Sequence, residues 1–517
     1  MKRNLTLSLL TGILIALALP PFKTGFLAYG ALIPFFLLLE NKRGVAAFRW
    51  SYVTGLFIDI FSLFWIGWVT LPGLLGALIA LPLFVALFGV LHTFLLDRIS
   101  VYAYALSPFL WTAIEYLQSF GEIAFPWTYL GYTQTYYLPL IQYAELTGVY
   151  GVSFWVAGFN VILFLLWKNF RQQQLKGISI LFVILWLVLP LSYGYYRLQT
   201  ARPSKAHIKI ALVQGNIDPF EKWDLDLYNR NFKVYDRLMR QAARSEPDLM
   251  IWPETATPFY LRYERKFRNR VHFLVDSTNI PLLTGSVDYS FDRKGNYKYY
   301  NSAFLFQPKT RRIQSYNKMQ LVPFSERVPY SQFLPIHFLQ KFLYDLKLGV
   351  GDYTRGKKYK VLSFKYSGHL GTIRSSNRKN NEIRLAVAIC YESVFPETVR
   401  KFIKQKDADF LAIITNDAWF GKTTAPFQHA QIAVFRAIEN RTSIARCANT
   451  GVSCFIDAYG HVGNSTKLFR EAIVVHELAL RNQVTFYTKH GNVFALLVAI
   501  IAIFSLITGS IVQRFQK

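Results

Sequence analysis

Eight long apolar runs constrain this chain more than any other feature. Seven follow one another in the first 200 residues, at about 5–21, 26–40, 50–69, 74–96, 101–118, 147–167 and 178–196. The eighth, GNVFALLVAIIAIFSLITGSIV, occupies 491–512. Most approach the ~20 residues that carry a helix across a bilayer. In lipid a backbone must satisfy its own N–H and C=O groups, so such runs are expected to be helices. The second run is short, and the fifth holds Glu115. The first lacks a small-residue cleavage site and is followed by further spans, so it reads as a membrane helix and not a signal peptide.

Loop charges orient the spans. If the spans alternate, Lys2 and Arg3, Lys42 and Arg43, Arg98, then Lys168, Arg171 and Lys176, and finally Arg514 and Lys517 all fall on one side. The opposite short loops hold only Lys23, and the loop 119–146 has neither Lys nor Arg. Basic loops stay in the cytoplasm. The expectation is therefore a membrane domain of seven transmembrane helices over 1–198, an extracytoplasmic insert over 199–490, and an eighth helix with a cytoplasmic tail over 491–517. The loop 119–146 is rich in aromatics: Phe120, Phe125, Trp127, Tyr129, Tyr132, Tyr136 and Tyr137. Two readings stay open for it, an interfacial aromatic belt or a re-entrant wall of a lipid-entry site.

The insert differs in composition. Residues 1–200 carry 11 Lys/Arg and 6 Asp/Glu, so 47 of the 58 basic and 25 of the 31 acidic side chains lie in the rest of the chain. Apolar strand-like runs alternate there with amphipathic stretches, the pattern of a layered α/β domain. KIALVQGNI (209–217), DLMIWPE (248–254), PLLTGSVDY (281–289), NSAFLFQP (301–308), IRLAVAIC (383–390) and DFLAIITND (409–417) read as strands. LYNRNFKVYDRLMRQAARS and residues 426–441 read as helices, and the polar stretch 372–382 as an exposed hairpin tip. The basic excess is either a solvated face or an attraction to anionic headgroups. Nucleic acid is not expected as a partner of a domain outside the cytoplasm. A transporter is disfavoured because few ionisable groups lie in the spans, mainly Asp59 and Glu115.

Three cysteines, Cys390, Cys447 and Cys454, are too few and too odd for a disulfide framework, and none has the Cys-x-x-Cys spacing of a zinc site. No metal and no cofactor is expected. Reactive side chains instead stand at strand ends, where α/β folds place their sites. Glu254 ends DLMIWPE, Cys390 ends IRLAVAIC, and Lys318 opens KMQLVPFSE. A thiol, a cation and a carboxylate have a joint chemistry. The thiolate attacks a carbonyl to form a thioester, the carboxylate moves the proton, and the cation steadies negative charge. Spacing alone does not say whether the three meet.

WPETA (252–256), KMQLVPFSE (318–326) and AICYESVFPE (388–397) resemble, in this order, the Glu, Lys and Cys motifs of the carbon–nitrogen hydrolase (nitrilase) superfamily. That resemblance implies an α-β-β-α sandwich, with Glu254 as general base, Lys318 as transition-state stabiliser and Cys390 as nucleophile. Within the superfamily, TNDAWFGKTTAPFQHAQIAVFRAIENR and ANTGVS (448–453), together with seven spans before the insert and one after it, are similar to the apolipoprotein N-acyltransferase family. The resemblance covers nearly the whole chain. Departures are Ser325 where Gly is usual, Thr415 where Ser is common, and Cys447 where Thr is usual.

The resemblance also singles out supporting residues: Glu326 and Glu392 as acidic neighbours of the site, Tyr391 beside the nucleophile with its N–H available to an oxyanion, and Asn301 and Trp419 near the substrate pocket. For Glu326 and Glu392 the alternative is a structural ion pair, and for Trp419 an ordinary packed aromatic. His429, on its helix, reads as structural. What the family implies is a ping-pong acyl transfer in the bacterial inner membrane. The donor is a membrane phospholipid, and the acceptor is the α-amine of the diacylglyceryl-cysteine of an apolipoprotein. Two rivals remain: a membrane-anchored amidase that passes the acyl group to water, and a scaffold with a retired site.

Overall fold

The computed structural model describes residues 1–173, 177–202, 204–219, 221, 227–331, 333, 338, 341, 351–366, 382–404 and 407–515. The hairpin tip expected at 372–382 lies outside the described residues except for Glu382, and so do Lys176 and Lys517 of the loop pattern. The chain forms two compact units, Met1–Ala201 with His490–Lys517, and Arg202–Lys489.

The first unit is helical: Lys2–Ala18, Ile33–Leu39, Gly44–Leu63, Leu71–Ala80, Pro82–Ile99, Tyr102–Leu117, Val149–Arg171, Gly177–Gln199 and Val493–Phe515, with shorter turns between. Among the described residues, four stretches are long and apolar enough to cross a membrane: Leu71–Ile99, Val149–Arg171, Ile180–Gln199 and Val493–Ile511. The run expected at 26–40 is divided into a 3-10 turn, Gly25–Tyr29, and a short helix, Ile33–Leu39. Pro34 stands in the first turn of that helix, where its missing N–H costs nothing. Asn160 ties the two pieces together, donating to the Ala28 carbonyl at 2.7 Å and accepting the Leu32 N–H at 2.8 Å. The aromatic segment 119–146 folds inward for the most part. Trp127, Tyr129 and Tyr132 are buried, and the two tyrosine rings stack at 5.6 Å. Phe120 stays exposed. Those three buried rings therefore fill the interior and present no surface for an interfacial belt.

The second unit is built on two six-stranded sheets. The strands are β1 His207–Gln214, β2 Leu249–Ile251, β3 Leu282–Phe291, β4 Tyr297–Phe306, β5 Gln314–Asn317, β6 Val361–Lys365, β7 Glu382–Ile389, β8 Phe410–Thr415, β9 Ile444–Ala448, β10 Cys454–Ile456, β11 Val462–Gly463 and β12 Ala472–Ala479. Their orders are β12-β1-β2-β3-β4-β5 and β11-β10-β9-β8-β7-β6. In each sheet three neighbouring strands run parallel: β1, β2 and β3 in one, β7, β8 and β9 in the other. The central strands are buried on both faces, which is why they read as continuous apolar runs.

The helices Tyr228–Ala243 and Arg265–Thr278 cover the first sheet, through Phe232, Tyr235, Leu238 and Met239 and through Val271, Leu274 and Val275, with Trp252 in the same core. The helix Ala425–Asn440 lies against the second sheet and the turn at Cys390, and Arg441 ends it in the left-handed region at φ 42°. β2 stops earlier than the run 248–254 suggests. Trp252 still donates to the Leu283 carbonyl at 2.8 Å, but Pro253 has no N–H to continue the ladder. Cys447 donates its thiol across to the Ile251 carbonyl of the first sheet at 3.2 Å.

Candidate active site

Three strand ends bring the motif residues into one buried cluster. Glu254 follows β2 and is 6% exposed, Lys318 follows β5 and is 1% exposed, and Cys390 follows β7 and is 8% exposed. The backbone turns sharply at each motif. Thr255, Phe324 and Cys390 all have positive φ, at 46°, 62° and 51°. For a β-branched or bulky residue such a conformation costs roughly 1–3 kcal/mol and persists only where its surroundings hold it. Gly285 on β3 makes one of these turns possible. A Cβ there would lie 2.6 Å from the Glu254 Cα and 2.5 Å from the Thr255 nitrogen.

The hydrogen bonds converge on Glu254. Its Oε1 accepts from Asn301 Nδ2 at 2.7 Å and from Lys318 Nζ at 3.4 Å. Its Oε2 accepts the Asn416 N–H at 2.8 Å. Lys318 Nζ lies closer to Glu326 Oε1, at 2.9 Å, and Asn301 Nδ2 also reaches that oxygen at 3.0 Å. Glu326 is anchored in turn by the Val322 N–H, at 2.9 Å on its Oε2. One lysine thus neutralises part of the charge of two carboxylates, and Asn301 spaces them apart.

Electrostatics follow from this packing. Burial alone would lower the Lys318 ammonium, but Glu326 and Glu254 outweigh it and hold it well above the ordinary lysine value. Burial pushes the Cys390 thiol up. Glu254 pushes it further, while Lys318 and a bond to Thr415 pull it partly back. These surroundings favour the thiol over a preformed thiolate. Its proton must leave during attack, and a carboxylate in the same cluster is the group to take it.

The supporting residues divide. Asn301 and Glu326 belong to the cluster through the bonds given above. Tyr391 is buried, its ring edge-on to Phe395 at 5.1 Å. Trp419 is half-buried on the 3-10 turn Asp417–Phe420. Among the described residues Glu392 has no ion-pair partner; it is a brace. Its Oε1 accepts from Tyr316 Oη at 2.5 Å and from the Met319 N–H at 2.6 Å, and its Oε2 accepts the Ile389 N–H at 2.8 Å. It therefore ties the backbone beside Lys318 to the backbone beside Cys390. Burial pushes its carboxyl up to about 7, against those donors. Sequence reasoning passed over Asn416, Asp417, Ser393 and Arg446. Ser393 lies in AICYESVFPE and Asn416 and Asp417 in TNDAWFG, so the motifs were the available signal for these three; Arg446, in the middle of β9, offered none. Among the described residues, no three His, Cys, Asp or Glu side chains converge as a metal site.

Glu392→Gln turns one acceptor oxygen into a donor facing a buried N–H. We expect a loss of about 1–3 kcal/mol. The folded protein holds the Glu392 proton to higher pH than the unfolded chain does. This group's contribution is therefore full below the ordinary carboxylate range and fades as pH rises through about 7. Thermal unfolding of the full-length protein between pH 5 and 8 checks both points: the variant melts lower and loses this part of the pH slope. A variant that melts like the wild type at every pH contradicts the brace.

Residues 11–162 match the family model described as apolipoprotein N-acyltransferase N-terminal domain, and residues 209–484 match that of carbon-nitrogen hydrolase. The chain is 36% identical over 512 residues to the apolipoprotein N-acyltransferase of Geobacter metallireducens, covering 96% of this chain and 93% of that protein. It is 33% identical over 509 residues to that of Chlorobaculum tepidum, covering 94% and 92%. Among solved structures, an amidase from Nesterenkonia sp. is similar at 18% identity and a TM-score of 0.37, over 54% of this chain and 92% of that one.

Proposed function

The chain belongs to the apolipoprotein N-acyltransferase family, and from that membership we propose that it carries an acyl group as a thioester on Cys390. The protein is a membrane acyltransferase that N-acylates apolipoproteins. The donor in this reading is a membrane phospholipid, and the acceptor is the α-amine of a diacylglyceryl-cysteine.

In the first half-reaction Cys390 Sγ attacks the ester carbonyl carbon while Glu254 takes the thiol proton. Lys318 Nζ and the Tyr391 N–H hold the oxyanion. The C–O bond breaks, the leaving oxygen takes the proton from Glu254, and a lysophospholipid departs. In the second half-reaction the amine nitrogen attacks the thioester carbonyl and gives its proton to Glu254. The C–S bond breaks, and the proton returns to Sγ. Glu326 and Asn301 act by positioning Lys318 and Glu254. The observation that supports this best is the placement of Cys390: a buried thiol at a strand end, in the same cluster as the Glu254 carboxylate and the Lys318 ammonium, which lie 3.4 Å apart. Such a thiol needs the base that the scheme assigns to it.

The same reading takes the eight apolar runs as eight spans, with the second unit on the extracytoplasmic side, as the basic loops suggest. One experiment tests reaction and side together. Sealed right-side-out vesicles containing the protein and phospholipid receive a diacylated lipopeptide from outside. N-acyl peptide and lysophospholipid are expected in equal amounts. Free fatty acid as the sole acyl product would contradict transfer and favour the amidase. Acylation only after the vesicles are opened would contradict the orientation.

A further inference from the structure

Behind Cys390 lies a set of buried polar side chains that the scheme above does not use. Asp417, His429, Arg446 and Ser393 are all 0–1% exposed. His429 Nδ1 is 3.0 Å from Asp417 Oδ1. That carboxylate also accepts the Thr415 hydroxyl at 2.8 Å on Oδ1 and Arg446 Nη2 at 3.0 Å on Oδ2. On the far side of the ring, His429 Nε2 is 2.9 Å from Ser393 Oγ and 3.2 Å from the carbonyl oxygen of Cys390. With the ring proton on Nδ1, Nε2 is an acceptor, so the one Ser393 hydroxyl proton is shared between that ring nitrogen and the same carbonyl, which lies at 2.8 Å. The chain of contacts runs from Arg446 on β9 to the backbone of Cys390. Gly451 leaves the room for it, since a Cβ there would strike the Asp417 carboxylate.

The distances are those of a Ser–His–Asp triad. The burial is not. Ser393 has no access to a substrate, and its hydroxyl is committed to a carbonyl. What the arrangement touches is the peptide unit joining Cys390 to Tyr391. That unit is planar and trans, so whatever fixes the carbonyl direction also fixes the Tyr391 N–H, which points the opposite way. It also follows a residue at φ 51°, a conformation costing roughly 1–2 kcal/mol for a residue with a side chain. Without a donor its carbonyl would be a buried acceptor left unpaired, which costs about 1–3 kcal/mol. Arg446 keeps Asp417 ionised despite its burial, and the ionised carboxylate fixes the ring proton on Nδ1.

We infer that Ser393, His429, Asp417 and Arg446 form a positioning relay that clamps the Cys390–Tyr391 peptide and so aims the oxyanion-binding N–H at the reacting carbonyl. The inference rests on the reading of Cys390 as the acyl carrier. Ser393 is the residue in direct contact. His429 orients it, and the buried ion pair orients His429.

The test separates a step that needs the oxyanion from one that does not. Ser393→Ala, Ser393→Thr and His429→Asn are made in the full-length protein. Each is assayed for acyl transfer from phospholipid vesicles to a diacylated lipopeptide, and for alkylation of Cys390 by iodoacetamide. Alkylation needs the thiol but forms no oxyanion. Ser393→Ala and His429→Asn are expected to lower kcat roughly 10–100-fold, a loss typical of small misplacements at a reacting centre. KM and the alkylation rate stay within about 3-fold, a margin set well below that expected loss. Ser393→Thr, which keeps the hydroxyl, recovers most of the kcat. The relay is overturned if both Ser393→Ala and His429→Asn transfer at the wild-type rate, or if transfer and alkylation fall together. Cys390→Ala run alongside keeps the two questions apart. If it still transfers, the nucleophile assignment fails and not merely the relay.

Discussion

Cys390→Ala is expected to lower acyl transfer at least about 10⁴-fold, down to background, because no later step proceeds without the thioester. The loss should appear in the first half-reaction: no lysophospholipid is released from vesicles, even without acceptor. Stability should change little, since the substitution removes one sulfur from a well-supported turn. Cys447 and Cys454 do not stand in for it. Both are 0% exposed, on β9 and β10, and Cys447 gives its thiol to the Ile251 carbonyl. Lysophospholipid release by the alanine variant at the wild-type rate would remove Cys390 from the mechanism.

Lys318→Met should carry the second-largest effect, on two measurements at once. In the wild type the ammonium stands 2.9 Å from Glu326 and 3.4 Å from Glu254, with almost no exposure. Removing it leaves two carboxylates facing each other in a dry site. Loss of one partner from a buried ionic cluster costs about 3–5 kcal/mol. Loss of the oxyanion contact should lower kcat roughly 10²–10³-fold in addition. The pH dependence gives a distinguishing sign. In the variant the two carboxylates repel, so the folded state binds a proton more tightly than the unfolded chain does. The variant should therefore regain stability as pH falls from 8 to 5. Thermal unfolding across that range, with transfer assays at each pH, checks the sign. A variant whose melting point is insensitive to pH would mean that the two carboxylates do not share the lysine.

Some of this was legible in the chain itself because its signals are local. Glu254 and Cys390 each follow a continuous apolar run, and a run buried on both faces reads plainly as a central strand. Lys318 was legible only through its motif, since β5 (QSYN) is short and polar. β12 (AIVVHELA) gave no clear period because most of it is half-buried or exposed at a sheet edge. The run 26–40 looked like one span, yet it divides, because its polar contacts with Asn160 come from 128 and 132 residues away in the chain. His429 illustrates the same limit. A single histidine on an amphipathic helix reads as structural, and its role depends on Asp417, Ser393 and the Cys390 carbonyl, which only the folded chain assembles. Glu392 looked like a partner for a charge. Its four acceptor contacts, three of them to backbone N–H groups, are invisible in sequence.

The most direct test of the thioester is mass spectrometry of the full-length protein after exposure to phospholipid vesicles without acceptor. The expected result is one acyl mass on the peptide containing Cys390, lost when a diacylated lipopeptide is added and absent in Cys390→Ser as a hydroxylamine-labile adduct. An acyl mass on Cys447 or Cys454, or N-acyl peptide formed while Cys390 never carries an acyl group, would contradict it.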